Sequence, residues 1–196
     1  MNVLVVHAHP VEESFSRALR DTVVRAVEAA GHTATVIDLY AEDFDARISE
    51  AERRAYHGAG PVVSADVARH VDLVRAAEAL VFVYPTWWFG MPAILKGWLD
   101  RVLVPGVAFG FDERTGKVKP GLTNVRRIVG ISTYGSSWPY IKAVNDAGRR
   151  TLLRTLRLVT HRRTRTAWLA LYAMDRRGDA DRAAFLAEVD RRMRRL

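Results

Sequence analysis

Short apolar runs alternate with amphipathic segments along this chain of 196 residues. The runs are rich in β-branched and aromatic side chains, as in strands that are buried within a sheet. Five of them are predicted, at residues 3–6, 33–40, 80–83, 127–131 and 166–172. Between the runs, apolar side chains recur at helical spacing, as at Leu19, Val23 and Val27. This order predicts an α/β fold in which one domain, residues 1–196, holds a doubly wound, five-stranded parallel sheet with helices on both faces.

An aromatic loop follows the predicted strand at residues 80–83, which ends at Pro85. Consecutive residues of an extended chain point to opposite sides, so Trp87, Trp88 and Phe89 cannot all enter one core. At least one of the three therefore faces outward. Gly90 would permit a turn whose backbone conformation other residues do not readily adopt, and a helical pattern of apolar residues begins just beyond it.

The position of this aromatic loop favours a binding role. Ligands of open parallel sheets bind beyond the carboxyl ends of the strands, and a flat aromatic wall suits a flat ligand. The alternative is that Trp87, Trp88 and Phe89 close the end of the sheet as part of the core.

The motif Pro–x–x–Trp–Phe–Gly–x–Pro–Ala–x–Leu–Lys–Gly–Trp, which runs from Pro85 to Trp98, resembles the corresponding loop of the NAD(P)H:quinone reductases of flavodoxin-like fold. The resemblance implies a flavodoxin-like sheet, a homodimer and a flavin whose isoalloxazine ring lies against this loop. The loop residues implied in that contact are Pro85, Thr86, Trp87, Trp88, Phe89 and Gly90.

A polar loop between the first strand and the first helix is where α/β proteins commonly hold phosphate, because the helix start leaves N–H groups unpaired. Ser14 and Ser16 would add hydroxyl donors there, although both would also serve as helix caps. The resemblance implies that His9, Ser14, Phe15 and Ser16 contact the flavin nucleotide, with Ser16 standing where the family often has Asn. His7 and His9 should diverge, and no carboxylates complete a metal site.

A third loop, after the strand at residues 127–131, is rich in hydroxyl groups. Ser132, Thr133, Tyr134 and Gly135 would offer O–H and N–H donors to the polar edge of a flavin, where negative charge develops on reduction. The alternative is an ordinary Ser/Gly turn. Tyr134 replaces a glycine of the family's motif.

Three further positions bear on catalysis and substrate binding through the resemblance alone. Tyr140 matches the tyrosine that relays charge in the family, but Asn145 and Asp146 occupy the region of its histidine partner. Phe109 and Phe111 match two tyrosines that cover the substrate pocket of the partner subunit, where Trp88 also lies. The phenylalanines keep the stacking surface and lack the hydroxyls. The alternative is that both phenylalanines pack in the core.

Composition excludes several classes of protein. The chain has no cysteine, which removes disulfides, thiolate catalysis and cysteine-ligated metals. It has no apolar run of about twenty residues, and it begins directly with a strand. We therefore expect a cytoplasmic protein that does not bind a membrane.

The net charge of +8 raises the question of nucleic acid. From residue 140 onward, 15 Lys and Arg face 6 Asp and Glu. Arginines at positions 149, 150, 154 and 157 alternate with leucines at helical spacing, which is typical of a solvated helix face. Nucleic-acid binding is therefore the less favoured interpretation, and some arginines would help to attract anionic cofactors.

Local signals predict the ends of several elements. Ser49 and Glu52 have the spacing of a capping box, and residues 57–61 form a predicted linker that is too short to separate domains. A helix is predicted at residues 145–159, and an amphipathic helix with apolar positions from Ala183 to Met193 closes the chain.

The function predicted from these observations is a flavin-dependent NAD(P)H oxidoreductase that transfers a hydride through flavin N5 to a quinone or a similar flat acceptor. FMN is expected, with FAD as the alternative. A flavodoxin-like electron carrier or redox regulatory subunit is the competing class, but carriers are usually acidic whereas this chain is basic.

Overall fold

The computed structural model of the chain describes residues 1–58 and 64–196. Its strands are β1 (Asn2–His7), β2 (Thr33–Asp38), β3 (Ala79–Pro85), β4 (Phe109–Phe111), β5 (Val118–Pro120), β6 (Arg127–Thr133) and β7 (Arg165–Leu171). Five of them form one parallel sheet in the order β2-β1-β3-β6-β7. This sheet confirms the predicted architecture, whereas the antiparallel pair β4–β5 stands apart from it.

Helices connect the strands and cover the sheet. They are α1 (Phe15–Ala29), α2 (Glu50–Ala55), α3 (Ala65–Ala76), α4 (Ala93–Val102), α5 (Trp138–Ala143), α6 (Ala147–Arg150) and α7 (Asp179–Met193). A π-helix, Thr151–Leu156, continues α6, and a 3₁₀ turn, Met174–Arg176, precedes α7. Ser49 and Glu52 form the predicted capping box at the start of α2.

A separate apolar core lies on each face of the sheet. On one face, Leu4 and Val6 of β1 pack with α3, α4 and the π-helix around the fully buried Trp98. On the other face, Val3 and Val5 pack with α1 and α7. Alternate residues of one strand thus enter opposite cores, which explains why the strands read as unbroken apolar runs.

The predicted helix at residues 145–159 is wrong in its first part. Asn145 and Asp146 both have a positive φ, at 71° and 38°, and a right-handed helix cannot pass through that conformation. Helical structure begins only at Ala147, with one turn of α-helix that is followed by the π-helix Thr151–Leu156. The predicted limits of the strands differ from the observed ones by at most two residues.

Two remaining sequence features concern linkers and membranes. Residues 59–61 of the predicted linker lie outside the described residues. Among the residues that are described, no helix has both the length and the apolar character needed to cross a bilayer.

Candidate functional site

The three predicted loops leave the sheet at one edge, because β1, β3 and β6 are parallel neighbours. Backbone hydrogen bonds join them: the Ala8 N–H donates to the Val83 carbonyl over 3.1 Å, and the Thr86 N–H donates to the Thr133 carbonyl over 2.8 Å. The hydroxyls of Thr86 and Ser132 lie 2.9 Å apart. The carboxyl edge of the sheet is therefore a single site built from all three loops.

The aromatic loop after β3 forms a tight two-residue turn. Trp87 and Gly90 exchange two backbone hydrogen bonds of 3.0 Å, and Trp88 and Phe89 between them have φ values of 48° and 60°. Two positive φ values are typical of a type I′ turn, which usually contains Asn and Gly. The prediction that Gly90 supplies the unusual conformation is therefore wrong, since the two aromatic residues adopt it at a cost of about 1–3 kcal/mol each.

This turn presents its aromatic side chains to solvent. The exposed fraction is 94% for Trp88 and 42% for Trp87, so the prediction of an outward-facing ring is confirmed. Phe89 lies 5.7 Å from Tyr140 between ring centroids, and Tyr140 is itself 55% exposed. Large exposed aromatic side chains that do not pack in the core and lie together at this edge of the sheet form a surface for binding.

The loop after β1 leads into the first turn of helix α1. The Ser14 Oγ accepts a hydrogen bond from the Arg17 N–H over 3.1 Å and so caps α1, as the capping alternative predicted. Among the residues that the structure describes, the N–H groups of Phe15 and Ser16 have no acceptor. Ser14 keeps its hydroxyl hydrogen free to donate. His9 lies beside this loop, its Nδ1 accepting from the Val11 N–H and its ring 6.1 Å from that of Trp87.

A buried polar network supports the same helix start. His7 Nδ1 lies 2.9 Å from the Asp38 carboxylate, and His7 Nε2 lies 3.3 Å from the Ser16 hydroxyl. Arg20 donates to the same Asp38 oxygen over 2.9 Å. Burial lowers the pKa of His7 despite the nearby carboxylate. Burial alone would raise the pKa of Asp38, but the hydrogen bond from His7 and the charge of Arg20 contribute to holding it below its usual value.

His7 is a site residue that the sequence pattern did not identify. It occupies the end of β1, and its partner Asp38 ends the neighbouring β2, 31 residues away in the chain. Only the register of the two strands brings them together. Among the described residues, no group of three His, Cys, Asp or Glu side chains has the arrangement of a metal site.

Tyr134, which is predicted to contact the flavin, is enclosed by its own neighbours in the third loop and β7. Its side chain is 1% exposed and stacks on Tyr172 with centroids 4.7 Å apart. Its hydroxyl donates to Asp146 over 3.1 Å, its N–H donates to Leu171, and its carbonyl accepts from Met174. Burial and the Asp146 carboxylate both raise its pKa. Every polar group of Tyr134 is therefore already engaged.

Other parts of the third loop face outward or toward the aromatic loop. Gly135 and Tyr140 line a shallow depression of about 310 Å³ that also includes Ser136, Ser137 and Arg176. Ser132 is fully buried and reaches Thr86, and Thr133 is partly buried at the end of β6. The loop contributes hydroxyls that fix the aromatic loop as well as groups that face solvent.

The two phenylalanines lie on the β4–β5 hairpin rather than at the sheet edge. Their rings are 5.8 Å apart and nearly perpendicular. Phe109 packs against the core, whereas Phe111 is 53% exposed. None of the aromatic pairs found among the described residues joins Phe109 or Phe111 to the Trp87–Phe89 turn.

Comparisons with known proteins agree with the fold. A family model described as flavodoxin-like fold matches residues 1–196. The chain is 31% identical over 166 residues to the ribosyldihydronicotinamide dehydrogenase (quinone) of Homo sapiens, covering 75% of this chain and 70% of that protein. It is 37% identical over 131 residues to the ribosyldihydronicotinamide dehydrogenase-like protein traD of Penicillium crustosum, covering 60% of this chain. The chain spans 49% of the Penicillium protein, about half its length.

A solved structure is similar over almost the whole chain. The NAD(P)H:quinone oxidoreductase of Methanothermobacter marburgensis has a TM-score of 0.84 and 27% sequence identity. The similarity covers 99% of this chain and 98% of that one.

Proposed function

The chain belongs to the flavodoxin-like fold family, and on that premise we propose that it is a flavin-dependent NAD(P)H oxidoreductase that reduces a quinone or a similar flat acceptor. The observation that carries the proposal is the exposed Trp88–Phe89 turn beside Tyr140 at the carboxyl edge of the sheet. The names of the human and Methanothermobacter relatives support the same reaction class.

The aromatic end of the site fits a flavin ring. The rings of Trp87, Trp88 and Phe89 offer flat apolar surface, and the hydrogen bonds between Trp87 and Gly90 hold the turn in one shape. A turn that places two aromatics at positive φ is costly, and such strain persists where the conformation serves a function. A solvent-facing indole with no packing role is consistent with stacking on a ligand.

The phosphate end of the site also fits. The unpaired N–H groups of Phe15 and Ser16 and the hydroxyl hydrogen of Ser14 provide donors at the positive end of α1. His7 is hydrogen-bonded to Asp38 through Nδ1 and contacts the Ser16 hydroxyl through Nε2, and these contacts hold the first turn of α1 in place. This donor set suits a phosphate group and requires no metal.

The third loop supplies the remaining side of the proposed site. Thr133, Gly135 and Tyr140 are the groups that we propose for the polar edge of the ring; Gly135 and Tyr140 line the depression described above, and the Ser132 hydroxyl contacts that of Thr86. Asp146, which lies in the region of the family's relay histidine, accepts a hydrogen bond from the Tyr134 hydroxyl. Tyr140 is thus the one titratable side chain of the predicted relay that this chain retains.

A flavin held by these residues would supply the hydride-transfer chemistry between NAD(P)H and the acceptor. The protein's own contribution is to bind and orient: the aromatic turn sets the plane, the α1 start holds the phosphate, and Tyr140 offers a hydroxyl at the edge. No side chain of a catalytic triad or carboxylate pair is needed for this role.

The proposal also covers the identity of the flavin, the compartment and the oligomeric state. We propose FMN rather than FAD because the donors at the start of α1 suit a single phosphate group. We also propose a cytoplasmic homodimer in which the exposed Phe111 of one subunit covers the aromatic turn of the other.

Stopped-flow mixing tests the enzyme against the electron carrier. We expect flavin-loaded protein to lose its visible absorbance rapidly when mixed anaerobically with NADPH or NADH, and to regain it on addition of a soluble quinone. Flavin that stays oxidised with both nicotinamides, yet accepts electrons from a reductase protein, would instead identify a carrier.

A further inference from the structure

A cleft of about 340 Å³ lies between α5, α6, the π-helix and the end of β7. Its walls combine aromatic and cationic side chains. The residues that line it are Trp138, Ile141, Lys142, Asn145, Asp146, Arg149, Arg150, Arg154, Trp168 and Tyr172.

The charge of this cleft is strongly positive. Lys142, Arg149, Arg150 and Arg154 face a single carboxylate, that of Asp146. Asp146 already accepts hydrogen bonds from the Tyr134 hydroxyl and the Arg149 N–H. Within the described part of the chain, none of the four cations takes part in a salt bridge. Four cations without ion-pair partners around one cavity form a site for an anion.

Aromatic groups give the cleft a second recognition element. The indole of Trp138 carries the Lys142 ammonium 5.6 Å above its ring centre, and it is 53% exposed. Tyr172 and Trp168, which are partly buried, also line the cleft. Aromatic rings beside guanidinium groups suit a ligand that contains both a phosphate and a purine.

The cleft adjoins the proposed flavin site. Asp146 belongs to the cleft and bonds to Tyr134, whose ring stacks on Tyr172 of the cleft. Trp138 and Tyr140 both lie on α5, and Tyr140 contacts Phe89 of the aromatic turn. A ligand that stacks at the aromatic turn and extends past α5 would reach these cations.

We propose that this cleft binds the adenosine 2′-phosphate of NADPH and makes the chain prefer NADPH to NADH. The inference rests on the proposed oxidoreductase function. The two coenzymes differ by one phosphate group at that position, which is the chemistry that three arginines and a lysine recognise. Arginine binds phosphate oxygens through paired N–H groups, so Arg150 and Arg154, one helical turn apart, act together.

The direct test is binding of 2′,5′-ADP, compared with 5′-ADP, to the full-length protein by calorimetry. We expect 2′,5′-ADP to bind at least about tenfold more tightly, as one or two charge-assisted hydrogen bonds would give. The double variant Arg150→Gln/Arg154→Gln should lose that preference and raise the KM for NADPH while leaving the KM for NADH within about twofold. The exposed pair Arg162→Gln/Arg163→Gln, which does not line this cleft, is the matched control.

Equal affinity for the two nucleotides, or a preference that survives in the Arg150/Arg154 variant with unchanged thermal stability, would overturn the proposal. Inorganic phosphate that binds as tightly as 2′,5′-ADP would show a general anion patch and would also overturn it. Nucleotide binding is measured without flavin, so a failure here is distinct from a failure to bind flavin, which would contradict the proposed function.

Discussion

Phe89 and Tyr140 stand 5.7 Å apart between ring centroids, with their planes inclined by 44°. Phe89 comes from the turn after β3, and Tyr140 comes from α5 after β6, so this contact links two loops that are 51 residues apart in the chain. It brings two aromatic rings together at the carboxyl edge of the sheet.

Trp88→Ala should weaken flavin binding without destabilising the protein. The indole is 94% exposed, so its removal should change the free energy of unfolding by no more than about 0.5 kcal/mol. Loss of an aromatic stacking surface should raise the Kd for FMN about tenfold. Fluorescence titration with FMN and urea denaturation measure the two effects. Leu158→Ala, which removes another exposed apolar side chain, should leave both unchanged.

Replacement of the two turn residues should stabilise the protein and abolish flavin binding. The double variant Trp88→Asn/Phe89→Gly provides residues that adopt positive φ readily, whereas the native aromatics do not. We expect it to raise the free energy of unfolding by about 1 kcal/mol and to abolish flavin binding. Urea denaturation of the ligand-free protein checks the first result, and a destabilised variant would refute the claim of strain.

The buried histidines should make stability fall in weak acid. Burial lowers the folded-state pKa of His7 and of His70 below the usual value of about 6.5. The unfolded chain therefore binds protons at a higher pH than the folded chain does. The associated stability is complete above about pH 6.5 and is lost as the pH falls toward the folded-state pKa values, by up to about 1.4 kcal/mol per pH unit for each histidine.

Denaturation at a series of pH values tests whether the free energy of unfolding falls as the pH is lowered. The groups that act on His7 are Asp38, Arg20 and His9, of which the Asp38 carboxylate opposes the effect of burial. His7→Gln should reduce the slope between about pH 6.5 and pH 5. The exposed His57→Gln variant should not, and a slope equal in all three proteins would contradict the assignment to His7.

Gly130→Ala should destabilise the sheet. A Cβ at Gly130 of β6 would overlap the ring of Trp168 on the neighbouring β7, and Trp168 is held in turn against Tyr84 and Tyr134. We expect a loss of about 1–3 kcal/mol from overpacking, measured by thermal or urea unfolding. Gly110→Ala, where a Cβ meets open space, is the matched control.

The strands could be predicted because both faces of the sheet are buried, which leaves an apolar run such as that of β3 with no competing interpretation. The aromatic loop could be predicted for a related reason, since an extended chain cannot bury three consecutive rings on one side. Local backbone conformations were harder to predict from the sequence. The positive φ values of Trp88, Phe89 and Asp146 oppose the usual preferences of those residue types, so propensity assigned the turn to Gly90 and a helix to residues 145–159.

Site residues that depend on distant partners were the least predictable. His7 gains its role from Asp38 in the next strand, and Tyr134 forms hydrogen bonds with Asp146, Leu171 and Met174. Such pairings follow from register and packing, which a single sequence does not display.

The most direct test of the central claim is a titration of the purified, ligand-free protein with FMN, followed through tryptophan fluorescence and visible absorbance. We predict saturable binding of one FMN per chain with a Kd in the micromolar range or below, and a shifted flavin spectrum. The Trp88→Ala variant should bind more weakly. A protein that shows no saturable binding of FMN or FAD, with the fold intact by circular dichroism, would contradict the account.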